Sequence, residues 1–281
     1  MRTKIIFEDA DIIVIHKPAG LAVQTAHIGQ QDVVSELKNY LAAEKNAAGK
    51  PEKKDDGQKG KRRAGGPPYL GIVHRLDQPV EGLLVFGKTP AAAAALSGQL
   101  QSADFCKEYL AAVCGKPAAA GGELVDYLGK KDGRAVVYND VRAVRNGSGG
   151  VDVRAVRNGS GGVDVRAVRN GSNDAEGAKK AVLHFEVTAE NESAEGMISL
   201  LKVQLETGRF HQIRAQLSHA GSPILGDVKY GNEKSLEVSK KLGIKNTALC
   251  ACRLIFTHPV TKKKMEYTVS PDNPVFALFS E

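Results

Sequence analysis

Two short segments of this 281-residue chain concentrate side chains that can do chemistry. The first is His74-Arg75-Leu76-Asp77-Gln78-Pro79, a polar loop directly after an apolar stretch. A loop on a rigid strand end is where functional side chains are usually displayed. By itself, the hexapeptide reads as a surface turn with an ion pair between Arg75 and Asp77. The second is Thr207-Gly208-Arg209-Phe210-His211-Gln212-Ile213-Arg214, followed by Gly221-Ser222-Pro223-Ile224-Leu225-Gly226-Asp227. Gly208 permits a tight strand-to-helix turn, and Arg209 falls where a new helix exposes its backbone N–H groups. Two arginines and a histidine there can hold a phosphate or a carboxylate. A basic helix start facing solvent is an equal reading of the segment alone.

The elements around these segments follow from apolar patterning. Lys4 to Glu8 and Asp11 to His16 read as short strands rich in Ile and Val, joined by Asp9 and Ala10. Val33, Leu37, Tyr40 and Leu41 recur at helical spacing behind Asp32, which suits an N-cap. Tyr69 to Val73 and Leu83 to Lys88 read as strands flanking the first polar loop. Thr89-Pro90 opens an Ala-rich helix, with Thr as cap and Pro at the first helical position. Lys107 to Val113 returns to strand. Ala181 to Val187 and Leu200 to Glu206 alternate as strands with one buried face. Phe210 to Ala220 reads as a short helix stopped by Gly221. Leu249 to Phe256 and Met265 to Val269 complete the strands, and Pro274 to Phe279 reads as a terminal helical turn. Strands in uneven order with few helices between them predict an α+β fold rather than a doubly wound sheet.

Two stretches interrupt this pattern. Ala47 to Gly66 is rich in Lys, Gly and Asp and lacks bulky apolar residues, so it reads as a flexible basic surface insertion. Val-Arg-Ala-Val-Arg-Asn-Gly-Ser occurs at 141–148, 153–160 and 165–172, a tandem repeat of strand-prone units and Asn-Gly turn signals. A repeated hairpin over about 141–178 and a Gly-rich loop are both compatible with it.

Taken together, the motifs stop being ordinary. His-Arg-Leu-Asp, Gly82-Leu83-Leu84-Val85-Phe86-Gly87-Lys88-Thr89, Lys107-Glu108-Tyr109-Leu110, Gly-Arg-Phe-His-Gln-Ile-Arg and Pro-Ile-Leu-Gly-Asp occur in order. This set resembles the RluA-type family of pseudouridine synthases, which modify uridines in ribosomal and transfer RNA. The resemblance runs from near Ile5 to the C-terminal strands, outside the two interruptions. It implies one catalytic domain over 1–281 with the pseudouridine synthase fold, and no cofactor or metal. Asp77 matches the family's nucleophile, and a carboxylate suits that role because it can form a covalent adduct and then leave. Attack on the pyrimidine ring and attack on the ribose are both open to it. Arg209 matches the arginine that pairs with the aspartate, and Tyr109 matches the tyrosine that lies against the target base. Arg75 matches the residue that fills the gap left by an extruded uridine. His74 and His211 flank these positions as candidate RNA contacts, and Lys17, Lys88 and Arg214 are candidates for the phosphate backbone. Lys17-Pro18-x-Gly20 is similar to a further family motif. Two departures stand out. Phe210 replaces the Thr or Ser that many relatives carry, and Val80-Glu81 replaces a frequent Thr-Ser. The small N-terminal RNA-binding domain of many relatives is not expected here, which leaves substrate choice to the catalytic domain.

Bulk properties agree with this expectation without carrying it. The net charge of +7 and pI near 9.1 lean toward a polyanionic partner. The apolar stretches fall short of the roughly 20 residues that span a bilayer, and the N-terminus meets charge too early for a signal-peptide core. The four cysteines Cys106, Cys114, Cys250 and Cys252 read as reduced thiols, in keeping with a reducing cytoplasm, and the chain is expected to act as a monomer. The alternatives are a catalytically inactive RNA-binding protein of the same fold and a carboxylate N-glycosidase. Joint presence of Asp77, Tyr109 and Arg209 speaks against the first. Motifs suggest no second acid for the other.

Overall fold

A computed structural model of the chain describes residues 1–27, 29–48, 66–100, 102, 104–138, 177–193 and 196–279. The expected insertion at 47–66 and the repeat at about 141–178 fall almost wholly outside the described residues. The chain divides into two compact units, each of discontinuous sequence: 1–107 with 251–272, and 108–250 with 273–281.

In the first unit, β1 (Lys4–Glu8) pairs antiparallel with β2 (Ile12–Lys17), and β2 with β4 (Glu81–Gly87). β10 (Leu249–Thr257) follows β4 in the sheet, with β11 (Lys264–Thr268) antiparallel to β10. The apolar runs Ile12-Ile-Val-Ile and Leu83-Leu-Val-Phe are buried along their whole length, as strands covered on both faces must be. On one face, Ile12, Val14, Leu83 and Val85 meet Val73, Leu96, Phe105, Leu254 and Phe256 in the core of this unit. β3 shrinks from the predicted Tyr69–Val73 to Gly71–Ile72, pairing with Gly87 and Phe86. Pro67 and Pro68 supply no N–H upstream, and beyond Val73 the chain leaves the ladder as the His74–Pro79 loop. Gly82 has φ +127, and a Cβ there would lie 2.4 Å from the Ala251 backbone nitrogen, so only glycine lets β4 follow that path.

Two helices in this unit follow their sequence signals. α1 (Val33–Ala48) is capped by Asp32, whose Oδ1 accepts from the Ser35 amide at 2.7 Å. α2 (Pro90–Gln99) is capped by Thr89, whose hydroxyl accepts from the Ala92 amide at 3.1 Å.

The second unit is built on an antiparallel run in the order β5 (Cys106–Cys114), β9 (Gly196–Leu205), β8 (Lys179–Ser193), β6 (Gly121–Lys131) and β7 (Arg134–Tyr138). Residues 108–114 of β5 belong to this unit. β6 and β7 form a hairpin that the sequence reading passed over. Asp132 and Gly133 turn it with φ +47 and +70, as a two-residue Asp-Gly loop does. The alternation expected for Ala181–Val187 begins only at Phe185, because Ala181, Val182 and Leu183 are all buried. Ala181 packs with Leu128, Ala135 and Ala215, the last from α3 (Gln212–His219). α4 (Glu233–Lys241), also passed over, is capped by Asn232 accepting from Ser235. Pro274–Phe279 forms a short 3-10 turn. Helices flanking mostly antiparallel strands make this the α+β fold that the sequence predicts. All four cysteines are free thiols, three of them buried.

Candidate active site

Asp77 sits half-buried in the loop that enters β4, and this loop is tied from behind. Lys17 ends β2, and its side chain is fully buried. Its ammonium donates to the carbonyls of Pro18 (3.0 Å), Leu21 (2.8 Å) and Gln78 (3.2 Å). The Gly20 amide, on a residue with φ +80, donates to the Gln78 carbonyl at 2.8 Å, and Gln78 Nε2 returns a bond to the Gly20 carbonyl. The Val80 amide donates to the Asp77 carbonyl at 3.1 Å and closes the turn. Lys17-Pro18-x-Gly20 is therefore a clamp whose acceptors include the residue next to Asp77. Burial pushes the Lys17 ammonium down to about 7, against the opposing pull of the Asp77 and Glu81 carboxylates. A lysine so held faces inward, which corrects its reading as a phosphate contact.

His74 also points inward. Burial, with a further push from the Lys107 charge, lowers its pKa to about 3, so the ring is neutral. Its Nε2 accepts from the Val85 amide, and the ring meets Phe105 edge-on at 5.4 Å. This makes His74 a brace between the loop and β4, not an RNA contact. Arg75, one residue on, is exposed and reaches Gln24 Oε1 at 3.2 Å. Lys88 bonds the Glu8 carboxylate and the Asp9 carbonyl, tying β4 to the β1–β2 turn instead of reaching outward to phosphate. Nearby, Asp9, Asp11 and His258 bring three ligand atoms as close together as a metal site requires. His258 Nδ1 accepts from the amides of Val260 and Thr261, so Nε2 keeps its proton and donates to Asp9. A protonated nitrogen is no ligand.

In the second unit, Tyr109 is buried on β5, opposite Val203 of β9. Arg209 lies in the turn between β9 and α3. Its Nε donates to the Lys180 carbonyl at 2.9 Å, and its amide donates to Gln212 Oε1 at 2.9 Å. Gln212 is buried, accepts from Thr207 Oγ1 and donates to the Val182 carbonyl, so it fixes the turn to β8. His211 takes a left-handed conformation, φ +52, which delays the helix to Gln212, two residues later than expected. Its Nδ1 lies 2.8 Å from the Tyr230 hydroxyl, which itself accepts from the Ala135 amide.

Arg214 is buried and makes a two-point contact with Asp227, at 2.6 Å from Nε and 2.7 Å from Nη2. Asp227 Oδ1 also accepts from the amides of Lys229 and Tyr230. Arg214 therefore fastens the Pro-Ile-Leu-Gly-Asp segment to α3, and this corrects its reading as a phosphate ligand. Gln78, Gln212, Asp227 and Tyr230 are positioning residues that the sequence reading did not single out. Gln78, Gln212 and Asp227 stand inside the quoted motifs, so the signal was present.

Comparison with known proteins gives the family of the chain. Residues 11–219 match the family model described as RNA pseudouridylate synthase. The chain is 28% identical over 278 residues to ribosomal large subunit pseudouridine synthase D of Zymomonas mobilis, covering 98% of this chain and 71% of that protein. It is 29% identical to the Vibrio cholerae protein of the same name, covering 96% of this chain and 68% of the relative. Among solved structures, human RNA pseudouridylate synthase domain containing 4 superposes with a TM-score of 0.61 at 21% identity, over 98% of this chain and 90% of that one, a likeness of fold. With the family model spanning most of its length, the chain belongs to the RNA pseudouridine synthases, in their RluA-type family.

Proposed function

We propose that this enzyme isomerises uridines in ribosomal RNA, or in transfer RNA, with Asp77 as nucleophile and Tyr109 and Arg209 acting on the same uridine. In the reaction the bond from ribose C1′ to N1 of the base breaks, and a bond from C1′ to C5 forms. N1 gains a proton and C5 releases one. Asp77 supplies the carboxylate that holds the intermediate and then leaves, Tyr109 lies against the base, and Arg209 supplies the guanidinium that the family pairs with its aspartate. Arg75, exposed beside Asp77, takes the space of the extruded nucleotide. Residues 1–281 act as one catalytic domain, in the cytoplasm, on a stem-loop whose bases can splay out.

The observation that carries this reading is the clamp beneath Asp77. A fully buried lysine spends its donors on the carbonyls of Pro18, Leu21 and Gln78, and so ties the turn after β2 to the loop that presents a half-buried aspartate. A plain surface turn has no use for a buried cation behind it, since burying a charge costs several kcal/mol on the order of magnitude unless it is compensated. The relatives' names point to large-subunit ribosomal RNA as the first substrate to try. Pseudouridine mapping of ribosomal and transfer RNA from cells with and without the protein tests the reading. The expected result is one or more sites lost with the protein, in an RNA stem-loop. Identical maps would overturn it.

A further inference from the structure

Phe210 stands directly beside Arg209, and its setting is unusual for a phenylalanine. The ring is 43% exposed, on the turn that carries Arg209. It stacks on the His211 imidazole with centroids 3.7 Å apart and planes 21° from parallel. His211 is braced in turn by Tyr230, whose ring meets it edge-on at 5.6 Å and whose hydroxyl lies 2.8 Å from Nδ1. The Tyr230 hydroxyl is itself anchored by the Ala135 amide at 2.7 Å. The exposed ring therefore has a rigid back.

Its surroundings are cationic instead of apolar. Lys130 Nζ lies over the Phe210 ring, 4.8 Å from its centroid. His211 already occupies one face at stacking distance, so the ammonium takes the other. Lys130 is exposed on β6, close to the turn at Asp132 and Gly133, and Arg134 follows on β7. Lys229 donates to the Gly133 carbonyl at the same turn, and Lys180 lends its carbonyl to Arg209. An apolar ring set among cations does not match the apolar core of a protein interface. It matches a nucleotide, which offers a π face to the ring and a phosphate to the cations.

We propose that Phe210 is a stacking platform for an unpaired nucleobase of the RNA substrate, other than the target uridine, with Lys130 leaving the ring face to bind that nucleotide's phosphate. The proposal rests on the reading of the chain as an RNA-modifying enzyme and adds a substrate contact outside the motif roles. A flexible four-carbon chain ending in one charge can make that exchange without moving the backbone.

The sequence contains no tryptophan, so Phe210→Trp installs a single fluorescent reporter at the platform. Titration with a ten-nucleotide oligouridylate should quench it saturably, whereas heparin, a polyanion without bases, should not. On a large-subunit ribosomal RNA transcript, Phe210→Ala should raise KM roughly five- to a hundredfold with kcat little changed, the fold-change expected for loss of one base–aromatic stack. Phe210→Trp should retain a KM near that of the wild type. Absence of quenching by oligouridylate, equal quenching by heparin, or a wild-type KM for Phe210→Ala would each overturn the platform. Quenching by oligouridylate in a protein that forms no pseudouridine would instead refute the enzymatic reading and leave the platform standing.

Discussion

Lys17 in the first unit and Arg214 in the second are both long cations buried beneath chemistry-bearing segments, and they are held by opposite means. Lys17 gives its donors to three neutral carbonyls. Arg214 makes a two-point contact with one buried carboxylate, Asp227. A lysine in such a place can lose its proton, and burial brings Lys17 to about 7. A guanidinium cannot. The loop that carries Asp77 therefore rests on a support that responds to pH, whereas the support of α3 is permanently charged.

The largest effect that would break this comparison is on Arg214. Arg214→Met leaves the Asp227 carboxylate buried without its cation and should destabilise the fold by about 3–5 kcal/mol. The double variant Arg214→Met with Asp227→Leu should recover much of that loss. Urea denaturation of both at neutral pH measures the difference. Equal losses in single and double variants would show that packing, not the charge pair, matters at this position.

Lys17→Met sharpens the other half. Three carbonyls lose a donor, yet a costly buried charge disappears as well, so the net loss should be smaller, about 1–3 kcal/mol. Turnover should fall more than RNA affinity, because the loop next to Asp77 loosens while the RNA-facing residues remain. The pH dependence carries a definite sign. The folded chain releases the Lys17 proton near pH 7 and the unfolded chain near 10.5. Between those values the unfolded state binds one more proton at this site, so Lys17's contribution to stability rises with pH. Wild-type stability minus that of Lys17→Met should climb across this window, while the same difference for Arg214→Met stays level. A level difference for Lys17 would mean that its ammonium persists and that the two supports behave alike.

The smallest effect concerns α2, which packs beside β4 and holds none of the functional groups. Thr89→Ala removes its cap and should cost about 1 kcal/mol of stability. Turnover should be unchanged when measured well below the melting temperature. A lowered kcat would tie this helix to the catalytic loop.

The same contrast explains what the sequence disclosed. Asp32 and Thr89-Pro90 announced their helices because capping is local chemistry between residues three apart. The buried runs of β2 and β4, and the polar loop between β3 and β4, were legible from apolar patterning alone. The direction of the long cations was not. Lys17's partners are backbone carbonyls, which no side-chain pattern reveals, and Arg214's partner stands thirteen residues away, in another motif. His74 read as a loop residue because its acceptor role depends on the Val85 amide, a tertiary contact. The β6–β7 hairpin had its signal in Asp132-Gly133 and was obscured by Gly121, Gly122 and Gly129, which dilute the strand pattern of β6. α4 likewise had its cap in Asn232, with Lys240 and Lys241 in its last turn.

The central claim is that Asp77 is the nucleophile on a loop whose shape the rest of the site maintains. Tritium release from a large-subunit ribosomal RNA transcript labelled at carbon 5 of uridine, by wild type and by Asp77→Asn, tests it most directly. The amide keeps the side chain's shape and removes its charge. The expected result is release by the wild type and none above background by Asp77→Asn, with RNA affinity and thermal midpoint close to those of the wild type. Substantial release by homogeneous Asp77→Asn protein would contradict the account and remove Asp77 from the mechanism.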